Sequence, residues 1–180
     1  MILTWYVETV WRTLVYFLPA MVANGAPLVA SRILRRRRPV DFGKVFFDGR
    51  RIFGDSKSWE GLVIGVLAGG LVGVLYLNVF GNSCWLVYGL VQGLGAMLGD
   101  LGNSFLKRRL GISPGKPFPP FDQITFILGA YLLSALSGVN RLVEVEADPW
   151  VLLVALLMVL MLHPLTNLIA YKLGLKPVPW

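Results

Sequence analysis

Apolar residues in this chain fall in long continuous runs, not in the alternation of a half-buried strand or the three-and-four spacing of a surface helix. Five runs stand out, at about 4–29, 62–80, 84–101, 121–139 and 150–170. A helix crossing about 30 Å of hydrocarbon needs roughly 20 residues at about 1.5 Å each, and each run is near that length. The pattern predicts an all-α fold: one integral-membrane domain over residues 1–180, a bundle of five transmembrane helices, with two long loops at about 30–61 and 102–120 on one side. A β-barrel is disfavoured, because its strands alternate with period two. The first run contains Glu8 and Arg12. At i and i+4 with the acid first, they can pair on one helix face and still span.

Composition strengthens this picture. Of 180 residues, 56% are hydrophobic and 15% charged, and the mean hydropathy is +0.65, well beyond an ordinary soluble domain. No base precedes Arg12 and the segment continues into Asn24-Gly25-Ala26-Pro27, so it is expected to be retained and not removed as a signal peptide. Cys84 and His163 are the single cysteine and histidine. Neither an internal disulfide nor a Cys/His zinc cluster can form, which leaves oxygen as the main donor to any metal.

The bases then orient the bundle. Fifteen of the 17 lysines and arginines fall in the two long loops and the C-terminal tail, and basic residues mark the cytoplasmic side. The N-terminus is expected outside and the C-terminus inside. Arg35 to Arg38 read as a topology signal and a contact to the anionic lipid bilayer, so no nucleic-acid partner is expected. The long inner loops point to a cytoplasmic working face.

Candidate chemistry gathers there. In GDLGNSFLKRR (99–109), Asp100, Asn103, Ser104 and Lys107 recur at i, i+3, i+4 and i+7, one side of a helix leaving the membrane. An acid at that boundary is costly without a partner and is a functional candidate. Asp122 follows the proline-rich GISPGKPFPPF stretch. Two carboxylates at neighbouring inner helix ends, with four bases between them in sequence, suit a hard divalent cation bridging to a phosphate, with lysine and arginine neutralising the remaining charge. Asn24, His163 and Asn167 sit toward the inner ends of their helices and are expected at the same mouth. The loop DGRRIFGDSKSWEG (48–61) adds Arg50, Arg51, Ser56, Lys57, Ser58 and Glu60 to glycines, a mixture suited to phosphates. It is no Walker loop. Glycines spaced by four, at 65, 69, 73, 89, 93, 95 and 99, are expected to let the second and third helices pack closely.

Lys57-Ser58-Trp59-Glu60-Gly61, then Ser104-Phe105-Leu106-Lys107-Arg108, Pro114-Gly115 and Asp122 resemble the signature of the integral-membrane CTP:phosphatidate cytidylyltransferase family. VANGAP (22–27) and PVDFGKVFFDGRRIFGDSKSWEG (39–61) are more similar to the archaeal branch, which forms CDP-archaeol, and that likeness covers essentially the whole chain. The family's histidine-and-glycine stretch after Pro-Gly is replaced by KPFPPF, and its paired acids become Asp122-Gln123-Ile124-Thr125 with one acid, so a second metal is not implied. The resemblance implies transfer of CMP from CTP to an unsaturated archaeal ether-lipid phosphate, with Mg2+. It implies that Asp100 and Asp122 hold the metal, that Lys57, Lys107 and Arg108 contact phosphates, and that Asn24, Asn103 and Ser104 orient them, with Ser56, Ser58, Glu60, Arg50 and Arg51 completing the substrate loop. The alternatives are a small ion or phosphate transporter, which should carry polar residues through its full depth, and a membrane glycerol-phosphate acyltransferase, which would need neither CTP nor a divalent metal. The sequence leaves oligomeric state open.

Overall fold

The apolar runs fold as helices. In the computed structural model, which describes residues 2–34, 37–146, 148–175 and 178, the order is α1 (Ile2–Ile33), α2 (Trp59–Phe80), α3 (Cys84–Arg109), α4 (Phe121–Ser137), α5 (Val139–Leu142) and α6 (Pro149–Lys172). Four of them, α1, α2, α3 and α6, are long and apolar enough to cross a membrane; α4 is apolar but shorter, at 17 residues. Among the described residues no strand forms, and extended backbone pairs only in isolated bridges, Pro39 with Ser58 and Val45 with Arg51.

Local chemistry sets the helix ends. Ser58 caps α2, its hydroxyl accepting from the Gly61 N–H at 3.2 Å, and Gly81 ends the helix with φ +74°. Asp148 caps α6 by accepting from the N–H groups of Trp150 and Val151, with Pro149 in the first turn where its missing N–H is not needed. Boundaries differ from the sequence reading: α1 runs on to Ile33 and α2 begins at Trp59, so both ends of the expected 30–61 loop are helical. The third helix continues past 101 to Arg109, so the first eight residues assigned to the second inner loop are helical. The fourth ends at Ser137, where Gly138 in the left-handed region turns the chain into the single turn of α5.

Glycines bring α3 close to both its neighbours. A Cβ on Gly69 would stand 2.6 Å from the Gly89 carbonyl oxygen, and one on Gly73 2.5 Å from that of Trp85, so α2 and α3 meet backbone to backbone. Gly95 and Gly99 do not face α2 as expected; they face α4, where a Cβ on Gly95 would meet the Gly129 carbonyl at 2.7 Å. Thus α3 is the central helix, with one glycine seam on each side. Around it, Tyr16, Phe17 and Ala20 of α1, Ala96 and Met97 of α3, Phe126 and Ile127 of α4, and Val151 and Ala155 of α6 form the core. A buried polar chain ties α1, α3, α4 and α5: Tyr88 Oη donates to the Tyr16 carbonyl, Gln92 Nε2 donates to Tyr88 Oη and Ser134 Oγ, and Asn140 Nδ2 donates to Tyr16 Oη.

The expected Glu8–Arg12 pair does not form. Arg12 instead reaches Asp148 at 2.9 Å and the Glu146 carbonyl at 3.3 Å, joining α1 to the N-terminus of α6. A tertiary acid that also caps a helix offers Arg12 a second hydrogen-bonded partner, which a solvated i,i+4 acid does not. Of the bases behind the topology reading, Arg35, Arg36 and Lys176 lie outside the described residues.

The seams give a direct test. Gly99→Val should destabilise the protein by about 1–3 kcal/mol or abolish folding by overpacking, because its Cβ has no room beside the Thr125 carbonyl. Gly102→Ala, with nothing within 4 Å of the added carbon, should be neutral or gain up to about 1 kcal/mol of helix propensity. Thermal unfolding in detergent, followed by loss of monodisperse protein, distinguishes the two.

Candidate active site

The first inner loop is built around one buried acid. Asp41, 4% exposed, accepts hydrogen bonds from the N–H groups of Gly43, Phe53 and Gly54 and is bridged by Arg51 at 2.5 Å. Burial alone would raise its pKa, but the Arg51 guanidinium and the backbone donors outweigh burial and hold the carboxyl well below the usual carboxylate range. Arg51 also reaches Asp55 at 2.7 Å. Asp41 therefore fixes both ends of the 41–54 segment, while the Val40 N–H donates to the Lys57 carbonyl and the Trp59 N–H to that of Arg38, closing the loop's base.

The loop is then fastened to the end of α3. Arg109 pairs with Asp48 at 2.8 Å, donates to the Arg51 carbonyl at 2.6 Å, and lies over the Phe46 and Phe105 rings at 4.7 and 4.9 Å. Arg50 donates in return to the carbonyls of Arg108 and Arg109, at 3.2 and 2.7 Å, satisfying acceptors that a helix C-terminus leaves open. Arg50 and Arg51, read from sequence as substrate contacts, here hold the loop together. The sequence reading missed Asp41. Its signal was the D-F-G turn with Arg51 ten residues on.

This scaffold delivers Lys57 to Asp100, Nζ to Oδ2, at 2.5 Å. The pair lies in a cavity of about 70 Å3 whose polar wall is Ser31, Arg37, Ser56, Lys57, Ser58 and Asp100 and whose apolar side includes Leu62 and Met97. The cavity's lysine, arginine and three serine hydroxyls beside an acid suit a phosphoryl group or a hydrated cation. One helical turn along α3 stands Asn103, 4% exposed. Its Nδ2 donates to Asp122 Oδ1 at 2.6 Å, and its Oδ1 is buried with no hydrogen-bond partner. Lys107, one further turn on, lies 3.0 and 3.1 Å from the two Asp122 oxygens and donates to the Lys116 carbonyl; the Phe118 N–H donates to Asp122 Oδ2 at 2.7 Å. Two lysine–aspartate pairs thus border Asn103, one on each side.

Other residues from the sequence reading are distributed as follows. Ser104 is buried on α3 beside Asn103. Arg108 leaves its Nε buried and unpartnered, and its Nη1 would lie 3.6 Å from a Cβ on Gly54, beside the loop. Glu60 accepts from the Arg38 backbone N–H and pairs with its guanidinium, clamping the loop's entry. Asn24 is half-buried on α1 but does not line the cavity, and His163 and Asn167 lie on α6, which contributes none of its lining.

The electrostatics of Asp41 predict a pH dependence. Because folding lowers its pKa, the stabilisation is complete above the unfolded value of about 4 and fades as pH falls below it toward the folded value. Hydrogen exchange at the Phe53 and Gly54 amides, which donate to Asp41, should be protected at neutral pH and lose protection in acid. Asp41→Asn should show that loss already at pH 7.

Comparison with known proteins fits this geometry. The family model described as CarS-like: CDP-archaeol synthase matches residues 6–180. The CDP-archaeol synthase of Aeropyrum pernix is 43% identical over 176 residues, covering 98% of this chain and 95% of that one. That of Sulfolobus acidocaldarius is 40% identical over 168 residues, 93% of this chain and 96% of that one. A solved structure of an intramembrane enzyme for the biosynthesis of archaeal membrane lipids superposes with a TM-score of 0.75 at 44% identity, over 86% of this chain and 91% of that chain. With several apolar helices of spanning length beside these matches, this multi-pass membrane protein belongs to the CDP-archaeol synthase family.

Proposed function

We propose that this chain, a CTP-dependent cytidylyltransferase by family, transfers CMP from CTP to the phosphate of an unsaturated archaeal ether lipid, with Mg2+, at the cytoplasmic face of the cell membrane. The observation that carries the reading is the pair of lysine–aspartate contacts, Lys57–Asp100 and Lys107–Asp122, set on either side of Asn103. A lipid phosphate oxygen attacks the α-phosphorus of CTP, the bond to the bridging oxygen of the β-phosphate breaks, and pyrophosphate leaves. The nucleophile is already an anion, so no general base is required. The protein's work is alignment and charge neutralisation.

Donor chemistry fits Mg2+. Asp100 and the unpartnered Asn103 Oδ1 are oxygen donors on adjacent turns of α3, Asp122 of α4 accepts from Asn103 Nδ2, and among the described residues no cluster of three or more histidine, cysteine or acidic side chains forms. One or two carboxylates supplemented by water and phosphate oxygens is the usual way this ion is held. When bound, the ion supplies charge neutralisation on the phosphates. Lys57 and Lys107 can then turn from their carboxylates to phosphate oxygens. Arg108, whose Nη1 lies beside Gly54 and whose Nε has no partner, supplies a further guanidinium for phosphate. The lipid tails stay in the bilayer while the headgroup reaches the mouth.

Purified protein in detergent should release pyrophosphate from CTP only when Mg2+ and a diether glycerol phosphate are both present. Asp100→Ala and Asp122→Ala, folded by size exclusion and thermal unfolding, should each lose about 10³-fold or more in turnover. Near wild-type turnover in either variant would remove that residue from the site. Release without CTP selectivity or without metal would contradict the reading itself.

A further inference from the structure

The tip of the first inner loop is exposed and aromatic. Phe47 is 99% exposed, Phe42 67% and Val45 59%. The exposure is built into the fold. Phe42 sits in the left-handed region at φ +49°, followed by Gly43 at +81°, a costly conformation for a bulky residue, held because Asp41 accepts from the Gly43 N–H. The turn therefore presents Phe42 outward instead of folding it into the loop.

Charge marks what the tip faces. All four acids between residues 37 and 60 are consumed by bases of this chain: Asp41 and Asp55 by Arg51, Asp48 by Arg109, and Glu60 by Arg38. Lys44, exposed within the tip, has no acid partner among the described residues. The outward face is then aromatic and cationic. Its height is fixed as well, because the Phe42 ring lies 6.3 Å from Trp59, the first residue of α2, a helix of spanning length. Tryptophan at such a helix end is characteristic of the membrane–water interface.

We propose that residues 42–47 dock on the anionic lipid surface at the level where α2 enters the bilayer, with Phe42 and Phe47 inserted among the headgroups and Lys44 against lipid phosphates. Aromatic residues alone would also suit a protein partner. The adjacent unpaired Lys44 and the contact with Trp59 favour the bilayer, which is already present there. Docking seats the loop that carries Lys57, and it holds whether or not the chain transfers CMP.

The test uses full-length protein with Cys84→Ser and Phe47→Cys, carrying an environment-sensitive fluorophore at position 47 and reconstituted in vesicles with and without acidic phospholipid. Because Phe47 is fully exposed, the change leaves the fold untouched. A second sample with Cys84→Ser and Ser113→Cys, labelled in the exposed second loop, is the solvated control. Docking predicts blue-shifted emission at 47, shielding from iodide, and quenching by lipids with a nitroxide near the headgroup. This quenching should be stronger in acidic vesicles and weakened by Lys44→Gln. Emission and iodide quenching matching the control would overturn the proposal, as would lipid quenching equal in neutral and acidic vesicles. Shielding that disappears as protein is diluted in lipid would assign the surface to a second copy and overturn it too.

Discussion

An ionised carboxylate at the end of an apolar helix needs a partner, and one end of this helical bundle is organised around that need. A charge placed within a membrane costs several kcal/mol when unpaired. Asp100 lies in α3, a helix of spanning length, and Asp122 is in the first turn of the apolar α4, and each is met by a lysine, Lys57 and Lys107. Lys107 lies on the same helix as Asp100, two turns further on, and needs only that α3 continue beyond the membrane. Lys57 comes from a different segment, 43 residues away in sequence. Bringing it to Asp100 requires a folded loop, and that loop in turn requires Asp41, Arg51 and Arg109.

The glycine seams belong to the same logic. They let α2 and α4 approach α3 backbone to backbone, so the starts of α2 and α4 are drawn in beside the end of α3. Lys57 precedes α2 by two residues, and Asp122 is the second residue of α4. Close packing of apolar helices thus converts three separate stretches of sequence into one polar site. Apolar side chains at Gly69 or Gly99 would widen the seams and move the charged groups apart.

Much of this was legible in the sequence because it depends on local periodicity. Apolar run length gave the helices, and the i, i+3, i+4, i+7 stripe placed Asp100, Asn103, Ser104 and Lys107 on one face of what proves to be a single helix. What sequence did not reveal depended on tertiary choice. Arg12 had an acid four residues away and another across the fold, and only geometry selected Asp148. Gly95 and Gly99 read as part of one small-residue ridge, but the helix turns that ridge toward α4. Arg50 and Arg51 have the chemistry of phosphate contacts, and in the fold Arg50 meets carbonyls at the end of α3 while Arg51 meets carboxylates within the loop. Asp41 carried no periodic signal because its partners are backbone N–H groups in an irregular segment.

The central claim is that Asp100 and Asp122 serve one site that binds metal and nucleotide together. Electron paramagnetic resonance of Mn2+ with CTP and purified protein tests it most directly, because bound and free ion are counted separately and phosphorus coupling reports direct contact with the nucleotide. The account predicts CTP-dependent Mn2+ binding with phosphorus coupling, lost in both Asp100→Asn and Asp122→Asn while each variant remains folded. Equal Mn2+ binding in wild type and both variants would contradict it.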